Sequence, residues 1–121
     1  MRVYFRNNYP ERVWIAILKY DPDECGGDLG NWRKQGWWEI DHGDEVRVFS
    51  TTNRYAAFHA IAEDGAYWSG SYGPVSITWD CFDLCLNIGG TFIDDEVGMR
   101  LINLGRWHWM RTARHTVTLT E

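Results

Sequence analysis

The sequence predicts an all-β protein, a single antiparallel β-sandwich or flattened barrel with at most one short helix near residues 79–88. Three observations carry this expectation. Apolar and polar residues alternate with a period of two in stretch after stretch. Those stretches are short and rich in β-branched and aromatic residues. Clusters of Gly, Pro, Asn and Asp separate them at the intervals of sandwich turns. At 121 residues and 45% hydrophobic content, one domain over 1–121 can bury a sizeable core.

The elements follow in order. In "RVYFRN" (2–7) Val3 and Phe5 alternate with Arg2, Tyr4 and Arg6, and "NNYPE" is a turn. "RVWIAILKY" (12–20) sets Val13, Ile15 and Ile17 on one face, and Trp14, Ala16 and Leu18 on the other. The β-branched face is the expected core face. "DPDECGGDLGN" is a loop by composition. "GWWEI" and "EVRVF" then read as a hairpin around "DHGD". Matching their apolar faces puts Trp38 across from Val48 inside, and Trp37 across from Phe49 outside. "YAAFHAIAE" reads as a strand, because its flanks are turn-like although its alanines suit a helix. A turn, a short strand and a Gly-Ser-rich loop follow in "EDGAYWSGSYG". "PVSITWD" is a strand with Val75, Ile77 and Trp79 in register. Trp79, Phe82, Asp83 and Leu86 then fall at helical spacing before Gly89-Gly90. "VGMRLINLGRWHWM" reads as a hairpin around Leu104–Gly105, with Trp107 and Trp109 sharing a core face and His108 outward. "RHTVTLT" closes the fold with Val117 and Leu119 inward.

The net charge of −5 disfavours sequence-independent nucleic-acid binding, which depends on neutralising phosphates. The charge is uneven. Eight acids face two bases between Asp21 and Val46, whereas four arginines face one acid between Val97 and Glu121. The simplest expectation is two surfaces that complement each other within the fold or between subunits. No apolar run approaches the ~18 residues of a transmembrane span, so no membrane association is expected. The N-terminus lacks a secretory h-region, which makes the cytoplasm the expected compartment. The three cysteines, Cys25, Cys81 and Cys85, are an odd number. That argues against a complete disulfide framework. For Cys81 and Cys85, four residues apart, the expectation is two buried thiols, with a disulfide or a metal as the alternative.

In order along the chain, "RVYFRNN", "VWIAI", "GWWEI" followed by Gly43, "NRY" and "AEDGAYWSG" resemble a family of small bacterial proteins catalogued as a domain of unknown function. The resemblance covers roughly residues 2 to 70. It implies a small all-β sandwich and brings no catalytic residues. Against that family, residues 78–110 read as an atypical insertion.

No local signature of a nucleophile or zinc site occurs. The chain is therefore expected to be a non-catalytic recognition module for a protein partner or small ligand, and an enzyme only with an unrecognised site. The candidate ligand-binding residues are Trp14, Trp37, Phe49 and Arg47 of the hairpin's outer face. Three arrangements compete for that face: cover by the C-terminal segment, a subunit interface in a homodimer rather than a monomer, or an exposed patch. Aromatic rings there suit sugars, whose C–H faces stack on them, or protein partners, for which they are rigid anchors. The alternative function is thus a lectin-like carbohydrate binder. Calcium assistance would come from Asp21, Asp23 and Asp28, since calcium takes hard oxygen ligands from a tightly turned backbone. No other cofactor is expected. The stretch "GRWHWMRTARH" offers arginines beside aromatics, a pattern that suits an anion or nucleotide.

Overall fold

The structure, a computed structural model, describes residues 1–26, 30–86 and 95–120. Ten strands are present among them: β1 (Arg2–Asn7), β2 (Val13–Tyr20), β3 (Trp32–Ile40), β4 (Glu45–Ser50), β5 (Tyr55–Ala62), β6 (Tyr67–Trp68), β7 (Tyr72–Ile77), β8 (Phe82–Cys85), β9 (Asp95–Asn103) and β10 (Arg114–Leu119). They build a small sheet in the order β10-β1-β4 and a seven-stranded sheet in the order β7-β9-β5-β2-β3-β8, with β6 paired to β5. The fold is all-β, as the alternation predicts. One pairing departs from an antiparallel sandwich, because β10 runs parallel to β1. Among the described residues there is no helix: Phe82–Cys85 is a strand on the edge of β3, and 87–88 lie outside those residues.

The core between the sheets is the one the alternation selects. Val3 and Phe5 of β1, Val13, Ile15 and Ile17 of β2, and Leu119 of β10 are all buried there, with Val117 packed against them. Phe5 meets Phe58 of β5 edge to face, with ring centroids 5.2 Å apart, and so joins the two sheets. Burying a large apolar side chain contributes ~1.5–3 kcal/mol each. Asn7 ends β1 inside the protein. Its side-chain amide donates to the carbonyls of Glu11 (2.8 Å) and Ile40 (2.9 Å), and its side-chain oxygen accepts from the Tyr9 amide. A buried amide is tolerable because its groups are partnered.

The large sheet curls, so it has a second core on its other face. Ala16 and Leu18 are as buried as Ile15 and Ile17. They pack with Ala57, Met99, Val75, Ile77 and Phe82. The segment from Tyr72 to Leu86 thereby covers most of the face expected to hold exposed aromatics. Residues 95–103, read as part of an insertion, form β9 and lie between β7 and β5 within the sheet. Gly70 and Gly98 mark a close backbone crossing here. A Cβ on Gly98 would come within 2.2 Å of the Gly70 carbonyl oxygen.

Lys34 projects into this second core. It is 1% exposed, and its ammonium donates to the Ser76 carbonyl at 2.8 Å. No carboxylate among the described residues lies within ion-pair distance of it. Burial pushes its pKa below the ordinary 10.5. The unfolded chain therefore binds this proton more tightly, and stability rises with pH from the lowered folded value up to 10.5. Lys34→Met removes the buried charge at similar volume. The variant's stability advantage should be widest at neutral pH and shrink towards pH 10.5, as read from urea midpoints at several pH values. A gap that stays constant with pH would contradict the assignment.

Two β-bulges change which side chains face which core. Ile15 pairs with Trp38 but Ala16 pairs with Gly36, so Trp37 is an extra residue on β3. Val3 pairs with Phe49 but Tyr4 pairs with Arg47, so Val48 is an extra residue on β4. A bulge sends two consecutive residues to one side and re-aims the chain beyond it. As a result Val46, Val48 and Phe49 all lie in or against the inter-sheet core. Gly36 and Trp37 both face the second core, as Trp32 and Lys34 do. The expected β3–β4 hairpin does not form. β3 pairs with β2 and β8, β4 pairs with β1, and residues 41–44 are a turn between the sheets.

Cys25 and Cys85 are joined in a disulfide, with Cα atoms 5.5 Å apart, and Cys81 is an exposed thiol. This corrects the expectation of two buried thiols at Cys81 and Cys85. The bridge pins the loop after β2 to the edge strand β8. The expected hairpin around Leu104–Gly105 is also absent. β9 ends at Asn103 and a turn leads directly to β10, leaving Trp107 and Trp109 55% and 57% exposed. The opposed charge segments do meet once among the described residues, where Arg114 pairs with Glu45 at 2.8 Å. No helix of the described residues is long and apolar enough to cross a membrane.

Candidate functional site

The bulge in β3 builds the candidate site. It turns Trp37 to the same side as Gly36, against the second core, and Gly36 leaves room for Phe82, whose nearest ring atom would sit 2.7 Å from a Cβ there. The Trp37 indole then has three neighbours. It stacks on Trp79 (centroids 5.7 Å apart, planes 10° apart), meets Phe82 edge-on at 6.0 Å, and donates from Nε1 to the Thr78 carbonyl at 2.9 Å. The stack holds the segment between β7 and β8 over the end of β3. Trp79 is 48% exposed. Aromatic pairs of this kind contribute ~0.5–1.5 kcal/mol beyond their buried area.

Beside the stack lies an open groove of about 510 Å³, lined by Trp14, Trp37, Trp79, Ile61 and Ala62, with Glu39, Glu63, Asp80 and Cys81 also on its wall. Its aromatic part comes from three tryptophans on three separate elements. Its polar part is acidic. Glu39 is engaged by Arg12 at 2.9 Å, which also holds Asp41 at 2.8 Å. Chemically, such a groove offers indole faces for C–H groups or cations and carboxylate oxygens for hydroxyl or ammonium donors. His59 does not line it. That ring is 6% exposed, with Nδ1 3.1 Å from the Gly98 carbonyl, and burial lowers its pKa.

The sequence-derived candidates divide. Trp14 and Trp37 come together in the groove. Phe49 is 5% exposed in the inter-sheet core, because the bulge at Val48 turns it inward. Arg47 lies on the solvent face of the small sheet and lines a different cleft, together with Asp21 and Asp23. Asp21 leans on Arg33 at 3.4 Å, and Asp28 lies outside the described residues. Among the described residues no three His, Cys, Asp or Glu side chains are grouped as metal ligands. Trp79, Asp80 and Cys81 also line the groove, although the sequence pattern suggests a strand register or a helical turn for Trp79 rather than a site.

Comparison with protein-family models, with curated proteins and with solved structures finds no match for this chain. The fold and groove define its class, an all-β sandwich with a curled main sheet and an aromatic groove at one end.

Proposed function

We propose that the protein is a non-catalytic recognition module. Its groove holds a small ligand, or a side chain of a protein partner, against Trp14, Trp37 and Trp79. The observation that carries this reading is an open groove lined by the indoles of Trp14, Trp37 and Trp79 together with the carboxylates of Glu39, Glu63 and Asp80. Rigid indoles lose little entropy on binding, and a concave apolar site with a few polar groups is the usual form of a ligand pocket. A carbohydrate is the second reading, favoured by the same features, since indoles stack on C–H faces while Glu63 and Asp80 accept from hydroxyls. That reading needs no calcium, and Asp21 is already committed to Arg33. Persistent disulfides belong to oxidising compartments, so the Cys25–Cys85 bridge favours such a setting over the cytoplasm.

The test is a ligand-observed NMR screen of a fragment set that includes methyl glycosides and tetramethylammonium. Hits should bind the wild type and weaken at least tenfold in Trp79→Ala and Trp14→Ala. Both variants should keep the fold, because neither side chain is buried. Hits unaffected by either substitution would place recognition elsewhere.

A further inference from the structure

The opposite end of β2 carries a second feature, one that the groove does not use. Lys19 lies five residues beyond Trp14, ~16 Å along an extended strand. It lines a cleft of about 610 Å³ with Arg2, Arg47 and Arg111. These four cations come from β1, β2, β4 and the segment before β10. Among the described residues, none of them lies within ion-pair distance of a carboxylate. Arg47 donates instead to the Ser50 hydroxyl at 2.8 Å, and Lys19 acts only at longer range on Asp83. Two carboxylates also line the cleft, Asp21 and Asp23, and the first of these is engaged by Arg33. On a chain of net charge −5, convergence of unpaired cations in one concavity works against folding through mutual repulsion unless an anion offsets it. The hydroxyl-bearing residues Ser50, Thr51 and Thr52 complete the wall.

The rim adds a second, independent observation. His108 Nδ1 lies 2.8 Å from the carbonyl of Thr52, which ties the 106–109 turn to the cleft edge. That turn carries Trp107 and Trp109, both more than half exposed, with ring centroids 6.1 Å apart. Exposed indoles next to a cationic cleft match an anion that brings an apolar or flat portion with it.

We propose that this cleft binds a phosphate-bearing ligand. The guanidinium groups of Arg2, Arg47 and Arg111 and the Lys19 ammonium hold the phosphate, and the Trp107–Trp109 pair contacts the rest of the molecule. Guanidinium suits phosphate because two parallel N–H donors match two phosphate oxygens. The phosphate group could belong to a soluble nucleotide or to a phospholipid headgroup, and the experiment separates the two sources.

Calorimetric titrations with pyrophosphate and ATP at low ionic strength form one arm. Co-sedimentation with phosphatidylcholine vesicles, with and without one-fifth phosphatidylserine, forms the other. Binding is expected in one arm, falling steeply as salt is raised. It should weaken at least tenfold in the double variant Arg47→Gln/Arg111→Gln, whose substituted side chains are exposed and whose thermal melt checks the fold. Trp107→Ala should weaken ATP more than pyrophosphate, or lower the vesicle-bound fraction. Trp79→Ala at the other groove should change neither arm. No binding in either arm at low salt, or binding unchanged in the double variant, would overturn the proposal.

Discussion

The Cys25→Ser/Cys85→Ser variant should unfold with about 4 kcal/mol less free energy than the wild type. The magnitude follows from loop closure. The bridge spans a sequence separation of 60, and restricting a loop of that length in the unfolded chain is worth ~4 kcal/mol in the chain-entropy account. That loss is a large share of a domain's total stability, which is on the order of 5–15 kcal/mol. Guanidinium titrations of the variant and of the wild type with dithiothreitol should give the same lowered midpoint. Cys81→Ser supplies the control, since Cys81 is an exposed thiol outside the bridge, and its midpoint should stay with the oxidised wild type. Coincident curves for oxidised and reduced wild type would show that the bridge contributes nothing.

Phe58→Ala should cost about 3–5 kcal/mol, the range for emptying a buried phenylalanine site. Phe58 is 2% exposed at the centre of β5. It sits where the two sheets meet through Phe5, and Arg100 lies over its ring at 6.0 Å. Truncation leaves a void that neither sheet can close alone, since β5 is hydrogen-bonded to β2 on one side and to β6 and β9 on the other. Leu101→Ala on the neighbouring β9 is the matched control. Leu101 is 50% exposed, so its loss should stay within ~0.5 kcal/mol. Equal effects at the two positions would mean that the inter-sheet core has been misplaced.

Much of this fold is legible in the residues. Val3 and Phe5, Val13, Ile15 and Ile17, and Val117 and Leu119 occupy the faces that simple alternation assigns, because each of those strands is regular over its apolar positions. Alternation fails at Trp37 and Val48 for one physical reason. A bulge adds a residue without any change of composition, and parity reverses beyond it. The Val48 bulge therefore turns Phe49 to the face opposite the one alternation predicts, whereas Trp37 keeps its predicted face and Lys34 and Gly36 join it. The other misreadings are non-local. The parallel pairing of β10 with β1 and the Cys25–Cys85 bridge join residues far apart in the chain, and no short window contains both partners. Half of the groove was legible, Trp14 and Trp37. The other half, Trp79 and its neighbours, depends on how the segment between β7 and β8 folds back over the end of β3.

Cys81 offers the most direct test of the central claim that the aromatic groove is the recognition site. It is the chain's one cysteine outside the disulfide, and it lines the groove with Trp37 and Trp79. The measurement is the affinity of a fragment-screen ligand before and after alkylation of Cys81 with N-ethylmaleimide, alongside a Cys81→Ser protein given the same treatment. Alkylation should abolish binding to the wild type and leave Cys81→Ser binding intact. A ligand that binds the alkylated protein as tightly as the untreated one would contradict the groove as the site.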